Sequence, residues 1–552
     1  MRGRGLLSRQ ATRESIVQQW DPLRATNSPR APITPPEHDQ DHDLEDDGGR
    51  VVGYDSLSLD HKMALEAERN GIERPQGYTV SYHYNPEVEG MHFGRHHPMK
   101  PWRLTLTKHL VMGYGLQYAF DPFLATPASK EDLLRFHKED YIEFLSHVSP
   151  SNFPDLERNY SKYVPKQHHP DEEDPNYIRI GPFNLSNSQY ADCPVFDGMS
   201  KYITLYTGAS LSAARKLCNN QSDIAINWSG GLHHAQKGEA SGFCYVNDIV
   251  LAIQEMCKFY QRVLYIDIDV HHGDGVEQAF ASTERVMTLS FHRHGMMKDE
   301  KGKPTSMFFP GTGDVTDTGP KHHTREGAPA RGAHFSLNVP CGSGISDDQY
   351  IYLFENITGR VLEKYRPEAI VLQCGADSLG GDRLGSFNLN IRAHGSCVSF
   401  VKRARVPLLL LGGGGYTARN VARAWTHETA LAVGATLHND LPMHILPRPQ
   451  AFEGRPRGDA KLYPELSKAY DHKNENDDRE IRRIIERIYY ELGYVDTHPV
   501  VLCPRYPGDE VIDDIVAERE RELQDRWKEE AMDRDAERKK RERNTGVRGE
   551  LR

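Results

Sequence analysis

The sequence predicts an α/β fold: a single large domain with a mainly parallel central sheet and helices on both faces. Short, nearly continuous apolar runs alternate with longer segments of helical periodicity through the middle of the 552-residue chain. Runs of this length are typical of strands buried on both faces. Polar clusters follow several runs directly, which predicts a site at the carboxyl ends of the strands.

Six apolar runs carry this prediction. They are residues 224–228, 263–270, 286–291, 335–339, 370–373 and 408–411. Strand-like and helix-like patterns begin near residue 78 and continue to about residue 445, so we expect the folded domain over 78–445.

The two ends of the chain differ in composition from its middle. Residues 1–77 include a proline-rich stretch followed by an acidic one, which buries too little apolar surface to order itself, so we expect a disordered tail. We expect residues 446–507 to pack on the domain as an extension. Residues 508–552 carry charge pairs at helical spacing and predict a charged helical tail, either solvated or bound to a partner.

Charge and hydropathy exclude several classes of protein. A net charge of -11 argues against sequence-specific DNA binding through a broad basic surface and favours a cationic partner. No apolar run approaches the ~20 residues that span a membrane. The eight cysteines contain no CxxC pair, which is typical of reduced thiols in the cytosol or nucleus.

A candidate metal site follows two of the runs. Asp269 and His271 are two residues apart, so on an extended strand their side chains project to the same face. With Asp377, from the end of another strand, they form a three-ligand set that leaves positions open for water and substrate. The sequence therefore predicts a catalytic zinc site, where the metal lowers the pKa of bound water towards ~7.

Further polar residues supply what a hydrolase requires beside its metal. His233 and His234 follow a Gly-Gly turn, and Asp267 and Asp274 are placed to orient their imidazoles. Tyr416 follows four glycines and can donate its hydroxyl to a tetrahedral oxyanion. Each motif alone is more often structural than functional. Their joint occurrence at successive strand ends favours an active site.

Several segments, taken together, resemble those of class I histone deacetylases. They are residues 241–248, 267–275, 308–313, 374–385 and 411–416. The resemblance extends over about residues 80–445 and is nearest the fungal branch whose members work in multiprotein complexes. It implies the arginase-deacetylase fold, hydrolysis of acetyl-lysine in histone tails, and a nuclear location, with the cytoplasm as a second one.

The resemblance also implies roles for particular residues. Zinc would lie on Asp269, His271 and Asp377, with His233 and His234 as the histidine pair and Tyr416 polarising the acetyl carbonyl. Five further residues would line the tube that holds the substrate lysine, or its rim: Asp192, Gly242, Phe243, Phe309 and Leu384.

Two other ligands follow from the resemblance. A structural potassium ion is expected beside the zinc, held partly by Asp267 and Ser290. An inositol phosphate is expected at the interface with corepressor or co-activator subunits, such as SANT-domain proteins. Four cations would hold it: His92, Lys100, Arg383 and Arg419. Arg95 and His96 stand where the family motif is uncharged, and these extra cations either strengthen anion binding or block it.

The chain also departs from the family pattern in two insertions, residues 293–307 and 319–331. The first is charged and lies beside the expected tube, so we expect it to affect substrate access. Neither contains a ligand. Three alternatives stay open: a non-catalytic scaffold in a corepressor complex, a binuclear manganese ureohydrolase, and an acetylpolyamine deacetylase. Ser378 and Leu379 after Asp377 disfavour the second, because a second metal requires another carboxylate there.

Overall fold

The computed structural model describes residues 44–45, 51–52, 57–164, 178–299, 301–320, 330–453, 460–466, 472–495 and 521. Residues Met1–Asp496 form one compact unit and Thr497–Arg552 a second. The helical tail expected over 508–552 lies outside the described residues, except for residue 521. The second insertion does so over residues 321–329.

The strands are, in chain order, β1 (Leu44–Glu45), β2 (Val51–Val52), β3 (Val80–Tyr84), β4 (Asp121–Leu124), β5 (Ile224–Asn227), β6 (Val263–Asp267), β7 (Val286–Arg293), β8 (Met296–Lys298), β9 (Pro304–Met307), β10 (Ser336–Cys341), β11 (Ala369–Gln373) and β12 (Leu408–Leu411). Eight of them form one sheet in the order β10-β7-β6-β11-β12-β5-β3-β4. Every neighbouring pair in this sheet is parallel. The predicted fold class is confirmed, and all six apolar runs contribute strands.

The α-helices are α1 (Leu59–Arg69), α2 (Trp102–Gly113), α3 (Lys130–Leu134), α4 (Glu139–His147), α5 (Phe153–Asn159), α6 (Met199–Cys218), α7 (Asp248–Met256), α8 (Asp274–Phe280), α9 (Asp347–Tyr365), α10 (Ile391–Lys402), α11 (Ala418–Val433) and α12 (Asp478–Leu492). Short 3-10 helices add Pro86–Gly90, Leu116–Tyr118, Ser161–Tyr163, Pro182–Asn184, Ala376–Ser378 and Pro449–Phe452. Within the described residues, no helix is both long and apolar enough to cross a membrane.

The sheet separates two apolar clusters, one on each face. On β6, Leu264 and Ile266 belong to one cluster, whereas Val263 and Tyr265 belong to the other. This alternation follows from the two-residue period of a strand. Because both faces are buried, the strands read as continuous apolar runs.

The expected disorder of residues 1–77 is wrong for α1. Ser58 caps this helix by accepting a hydrogen bond from the His61 N–H. Met63 and Ala67 are buried on its inner face. Ala67 lies so close to the backbone of Gly115 that a Cβ there would be 2.4 Å from the alanine methyl. Tertiary contact therefore orders a segment whose composition alone does not.

The C-terminal helix α12 lies against α9 and β10. Its inner face is a stripe of isoleucines at helical spacing, Ile481, Ile484, Ile485 and Ile488, all of them buried. The seven cysteines of the described residues are free, and six of them are buried. Cys503 lies outside the described residues.

Candidate active site

Four neighbouring strands bring the predicted site together. β6, β11, β12 and β5 are adjacent in the sheet, so the loops at their carboxyl ends meet at one edge. β6 ends at Asp267, three residues before the predicted run ends, so Asp269 and His271 lie in the loop and not on an extended strand. The Asp267 and Asp269 carboxylates accept hydrogen bonds from the backbone N–H two residues on, which ends the ladder.

Asp269, His271 and Asp377 form a buried group whose ligand atoms all lie within 4.8 Å of one another. The Nδ1 atom of His271 lies 3.1 Å from Oδ1 of Asp269 and 3.1 Å from Oδ2 of Asp377. One imidazole nitrogen and two carboxylates, with further positions open, are the donor set of a catalytic zinc site.

The electrostatics of this group also fit a cation. Burial and the nearby Asp269 charge raise the pKa of Asp377 to about 7. Burial opposes protonation of His271, yet the two carboxylates raise its pKa to about 10. Two carboxylates taken out of water beside each other require positive charge, which a divalent cation supplies.

The backbone and side chains around the group fix its geometry. Asp269 Oδ2 accepts hydrogen bonds from Gln373 Nε2 at 2.9 Å and from the Gly414 N–H at 2.8 Å. A Cβ at Gly375 would lie 2.0 Å from Asp269 Oδ2, and one at Gly414 would lie 2.0 Å from Asp377 Oδ2. Glycine at these two positions is therefore required for the close approach of the loops.

The histidine pair lies beside the group, as predicted. His233 Nδ1 is 2.8 Å from Asp267 Oδ2, and His234 Nδ1 is 2.7 Å from Asp274 Oδ1. Each Nδ1 donates its proton to the carboxylate, because an ionised carboxylate can only accept. The other ring nitrogen, Nε2, does not take part in that hydrogen bond. The ring centroids are 3.9 Å apart, and His233 Nε2 lies 3.9 Å from Asp269 Oδ2.

The two imidazoles differ in pKa. Burial lowers the pKa of His233, but Asp267 and Asp269 outweigh burial and raise it to about 9. For His234, burial and the neighbouring His233 lower the pKa to about 4 despite Asp274. Adjacent titratable groups whose environments drive their pKa values apart are typical of acid–base sites.

Aromatic rings surround the approach to the group. The Phe243 ring meets the Tyr416 ring edge to face at 5.6 Å, and Phe309 meets the His234 ring at 4.9 Å. Gly242 has a φ of +48°, and a Cβ there would lie 2.5 Å from Cδ2 of His234. Phe309 is 40% exposed while Tyr416 is 9% exposed, so the phenylalanine lies nearer the surface than the tyrosine.

Two other predicted substrate residues lie at the surface. Asp192 is exposed, and its backbone carbonyl accepts a hydrogen bond from His97 Nε2 at 3.1 Å. The His97 ring contacts Phe243 at 4.6 Å, which connects the Asp192 loop to the aromatic wall. Leu384 is 36% exposed on the turn that follows Asp382.

The Leu384 turn is tied to the glycine-rich loop. Asp382 Oδ2 accepts hydrogen bonds from the N–H groups of Tyr416, at 2.7 Å, and Thr417, at 3.2 Å. Asp382 Oδ1 accepts from the Leu384 N–H at 2.9 Å. One half-buried carboxylate thus positions Tyr416 and Leu384 together.

The four predicted anion-binding cations are brought together in part. Lys100 donates from Nζ to the carbonyls of Gly94, at 2.7 Å, and Arg95, at 2.9 Å. Burial and the charge of Arg383 lower the pKa of Lys100, so the two charges act on each other. His92 is exposed on the loop that precedes Lys100, and Arg419 lies in the first turn of α11.

Sequence reasoning missed residues that support the ligands from behind. His394 and Glu428 form a fully buried pair, and His394 Nε2 donates to the Gly375 carbonyl at 2.9 Å. The two residues lie on different helices, 34 positions apart. The sequence does offer one signal, a polar residue on an otherwise apolar helical face. That signal predicts a buried polar side chain but not the residue that it contacts.

The geometry described so far defines a metal-dependent hydrolase: a parallel sheet with a buried Asp-His-Asp group and two carboxylate-oriented imidazoles at its carboxyl edge. The model of the histone deacetylase domain matches residues 97–432. The chain is 42% identical to histone deacetylase 1 of Homo sapiens over 445 residues, 81% of this chain and 80% of that protein.

Two further relatives agree. Identity is 42% with the probable histone deacetylase 1-B of Xenopus laevis over 79% of this chain and 80% of that protein. It is 42% with histone deacetylase 1 of Rattus norvegicus over 80% of each. The chain belongs to the histone deacetylase family, within class I, whose members are zinc-dependent hydrolases.

Proposed function

We propose that this chain hydrolyses the acetamide of N6-acetyl-lysine in histone tails, releasing acetate, and so acts in chromatin and transcription regulation. One observation carries the proposal: three parts of an active site lie together. The Asp269, His271 and Asp377 group, the carboxylate-oriented histidine pair, and the aromatic rings of Phe243, Phe309 and Tyr416 all meet at one edge of the sheet.

Asp269, His271 and Asp377 would hold the zinc. When bound, zinc acidifies its water and polarises a carbonyl oxygen as a Lewis acid. The aromatic rings of Phe243 and Phe309 would enclose the apolar lysine methylenes, with Gly242 giving the space between them. Exposed Asp192 would accept hydrogen bonds from the substrate backbone, and Leu384 would contact it at the rim.

The histidine pair would move the protons. Because Asp267 and Asp274 hold the Nδ1 protons, the base, His233 or His234, would act through Nε2. Of the two, His234 has the lowered pKa and therefore the Nε2 atom without a proton. The same pair would protonate the lysine amine as it leaves. The two carboxylates then act by orienting the rings.

Tyr416 would stabilise the oxyanion. Burial and the charges of Asp377 and Asp269 hold the pKa of its phenol well above the ordinary value, so the hydroxyl keeps its proton. A protonated hydroxyl donates a hydrogen bond where negative charge develops in the tetrahedral state.

The variant Tyr416→Phe tests this proposal. We expect it to keep its zinc and its unfolding temperature while kcat for an acetylated histone peptide falls by about 100-fold or more, because one oxyanion donor is lost. Tyr365→Phe is the matched control. Tyr365 is also buried, but its hydroxyl donates to the backbone carbonyls of Val263 and Glu284, near the amino end of β6. Unchanged turnover in Tyr416→Phe would sink the oxyanion role.

A potassium ion beside the zinc is also proposed. Asp267 and Ser290 support it, because they are register partners on the adjacent strands β6 and β7. Carboxylate, hydroxyl and carbonyl oxygens are the ligands that hard cations take.

We further propose an inositol phosphate site at the interface with a corepressor or co-activator subunit in the nucleus. Lys100 and Arg383 support it as neighbouring cations near the rim, with His92 and Arg419 on adjoining loops. Clustered cations provide charge-assisted hydrogen bonds to phosphate.

Arg383→Ala tests the anion site. We expect inositol hexakisphosphate to bind about tenfold more weakly, since one charge-assisted contact is lost, as measured by calorimetry. Arg405→Ala, a change at an arginine that lies just before β12 and away from this edge, should leave affinity unchanged. Equal affinity of wild type and Arg383→Ala would count against the site.

A further inference from the structure

The first insertion forms a β-hairpin. β8 and β9 pair antiparallel, with Met296 opposite Met307 and Lys298 opposite Pro304. Asp299 organises the turn, because its Oδ1 accepts hydrogen bonds from the N–H groups of Lys301, at 2.9 Å, and Lys303, at 2.8 Å. The segment expected to be a charged loop is therefore a defined element.

The hairpin exposes methionines. Met296 is 41% exposed, Met297 is 46% exposed and Met307 is 40% exposed. Met296 and Met307 are cross-strand partners, so their side chains lie on the same face. Clustered exposed apolar side chains are typical of surfaces that bind something.

The hairpin is continuous with the wall of the active site. The Phe308 N–H donates to the Gly295 carbonyl at 3.0 Å, which extends the pairing beyond β9. The Phe308 ring stacks on the ligand His271 with centroids 5.2 Å apart, and the next residue is Phe309. Met307 is two residues from Phe309, roughly 7 Å along an extended chain.

A second set of contacts holds the hairpin in place. Glu475 pairs with Lys298 at 2.6 Å and lies 3.8 Å from Arg293 at the hairpin base. Arg293 also donates to the Met296 carbonyl at 3.3 Å and lies over the Phe308 ring. These contacts hold the hairpin against Phe308, the residue that precedes Phe309 in the chain.

We propose that Met296 and Met307 form a subsite for an apolar side chain of the substrate, within about two residues of the acetyl-lysine. This rests on the proposed deacetylase function and adds a sequence preference to it. The occupant is the substrate because the methionine strand runs directly into the Phe309 wall. Methionine side chains adapt to several apolar shapes, so the subsite would accept leucine, isoleucine or phenylalanine.

Peptide binding in the Tyr416→Phe background tests the subsite without consuming substrate. The probe is a short fluorescein-labelled peptide with one acetyl-lysine among serines, and with leucine placed in turn at the two positions on either side. We expect leucine at one position to tighten binding about fivefold. Adding Met296→Ser and Met307→Ser should remove that gain. Adding Met112→Ser, at a methionine on α2 that is 37% exposed, should keep it.

The outcomes separate the two proposals. Equal binding of the serine and leucine peptides, or a leucine gain that survives the double methionine change, would overturn the subsite. Turnover of a capped acetyl-lysine without flanking residues by the native chain reads the active site alone. Leucine-dependent binding without turnover in the native chain would contradict the deacetylase function and support the subsite.

Discussion

His394 and Glu428 reach the metal group through one carbonyl. His394 donates to the carbonyl of Gly375, two residues before the ligand Asp377, and Glu428 holds the other side of the imidazole. Burial opposes a charge on His394, yet the Glu428 carboxylate raises the pKa of this imidazole above its ordinary value. Such outer contacts orient ligands and contribute to metal affinity.

Glu428→Gln isolates this effect, since glutamine keeps an oxygen that accepts from His394 but removes the charge. We expect zinc affinity, measured by competition with a chelator, to fall about tenfold. Glu491→Gln is the control. Glu491, on α12, is also buried, and its carboxylate lies 2.6 Å from His334 Nδ1. Zinc loss of equal size in the two variants would contradict a specific role for Glu428.

Single residues were predictable where they belong to a short sequence motif, and not where their role depends on a partner far away in the chain. Asp269, His271 and Asp377 are revealed by short motifs at strand ends, and the His233 and His234 pair likewise. Gln373 and Asp382 hold the same loops through hydrogen bonds to carboxylate and backbone, and no spacing rule connects them to their partners. Their roles become visible only when the strands are side by side.

At the scale of elements, the central strands were predictable and two smaller elements were not. Burial on both faces gives the strands continuous apolar runs, which is a strong local signal. Helix α1 is polar along most of its length, and its order comes partly from distant residues, as when Asn70 accepts from the His438 N–H at 3.0 Å. The β8–β9 hairpin shows no strict apolar alternation, and Glu475 anchors it from far along the chain.

The end of β6 shows the same limit. The apolar run continues to residue 270, yet the strand ends at Asp267 because side-chain carboxylates capture the following N–H groups. The prediction that Asp269 and His271 are neighbours was right, although they meet in a loop.

At the scale of the whole molecule, the strand order creates the site. Loops that span residues 228–416 in the chain converge because β6, β11, β12 and β5 are neighbours, an order that no local pattern specifies. The net charge of -11 suits a basic histone tail, while the cations at Lys100 and Arg383 lie together as a local exception. The overall charge and the local cation pair therefore suit different partners.

The most direct test of the central claim is acetate release from an acetyl-lysine histone peptide by the purified full chain, with and without a zinc-binding hydroxamate, alongside metal analysis. The account predicts about one zinc per chain and turnover that the hydroxamate abolishes. Zinc without turnover would favour a non-catalytic scaffold or a required partner. Absence of zinc, or turnover that the hydroxamate leaves unchanged, would contradict the site described here.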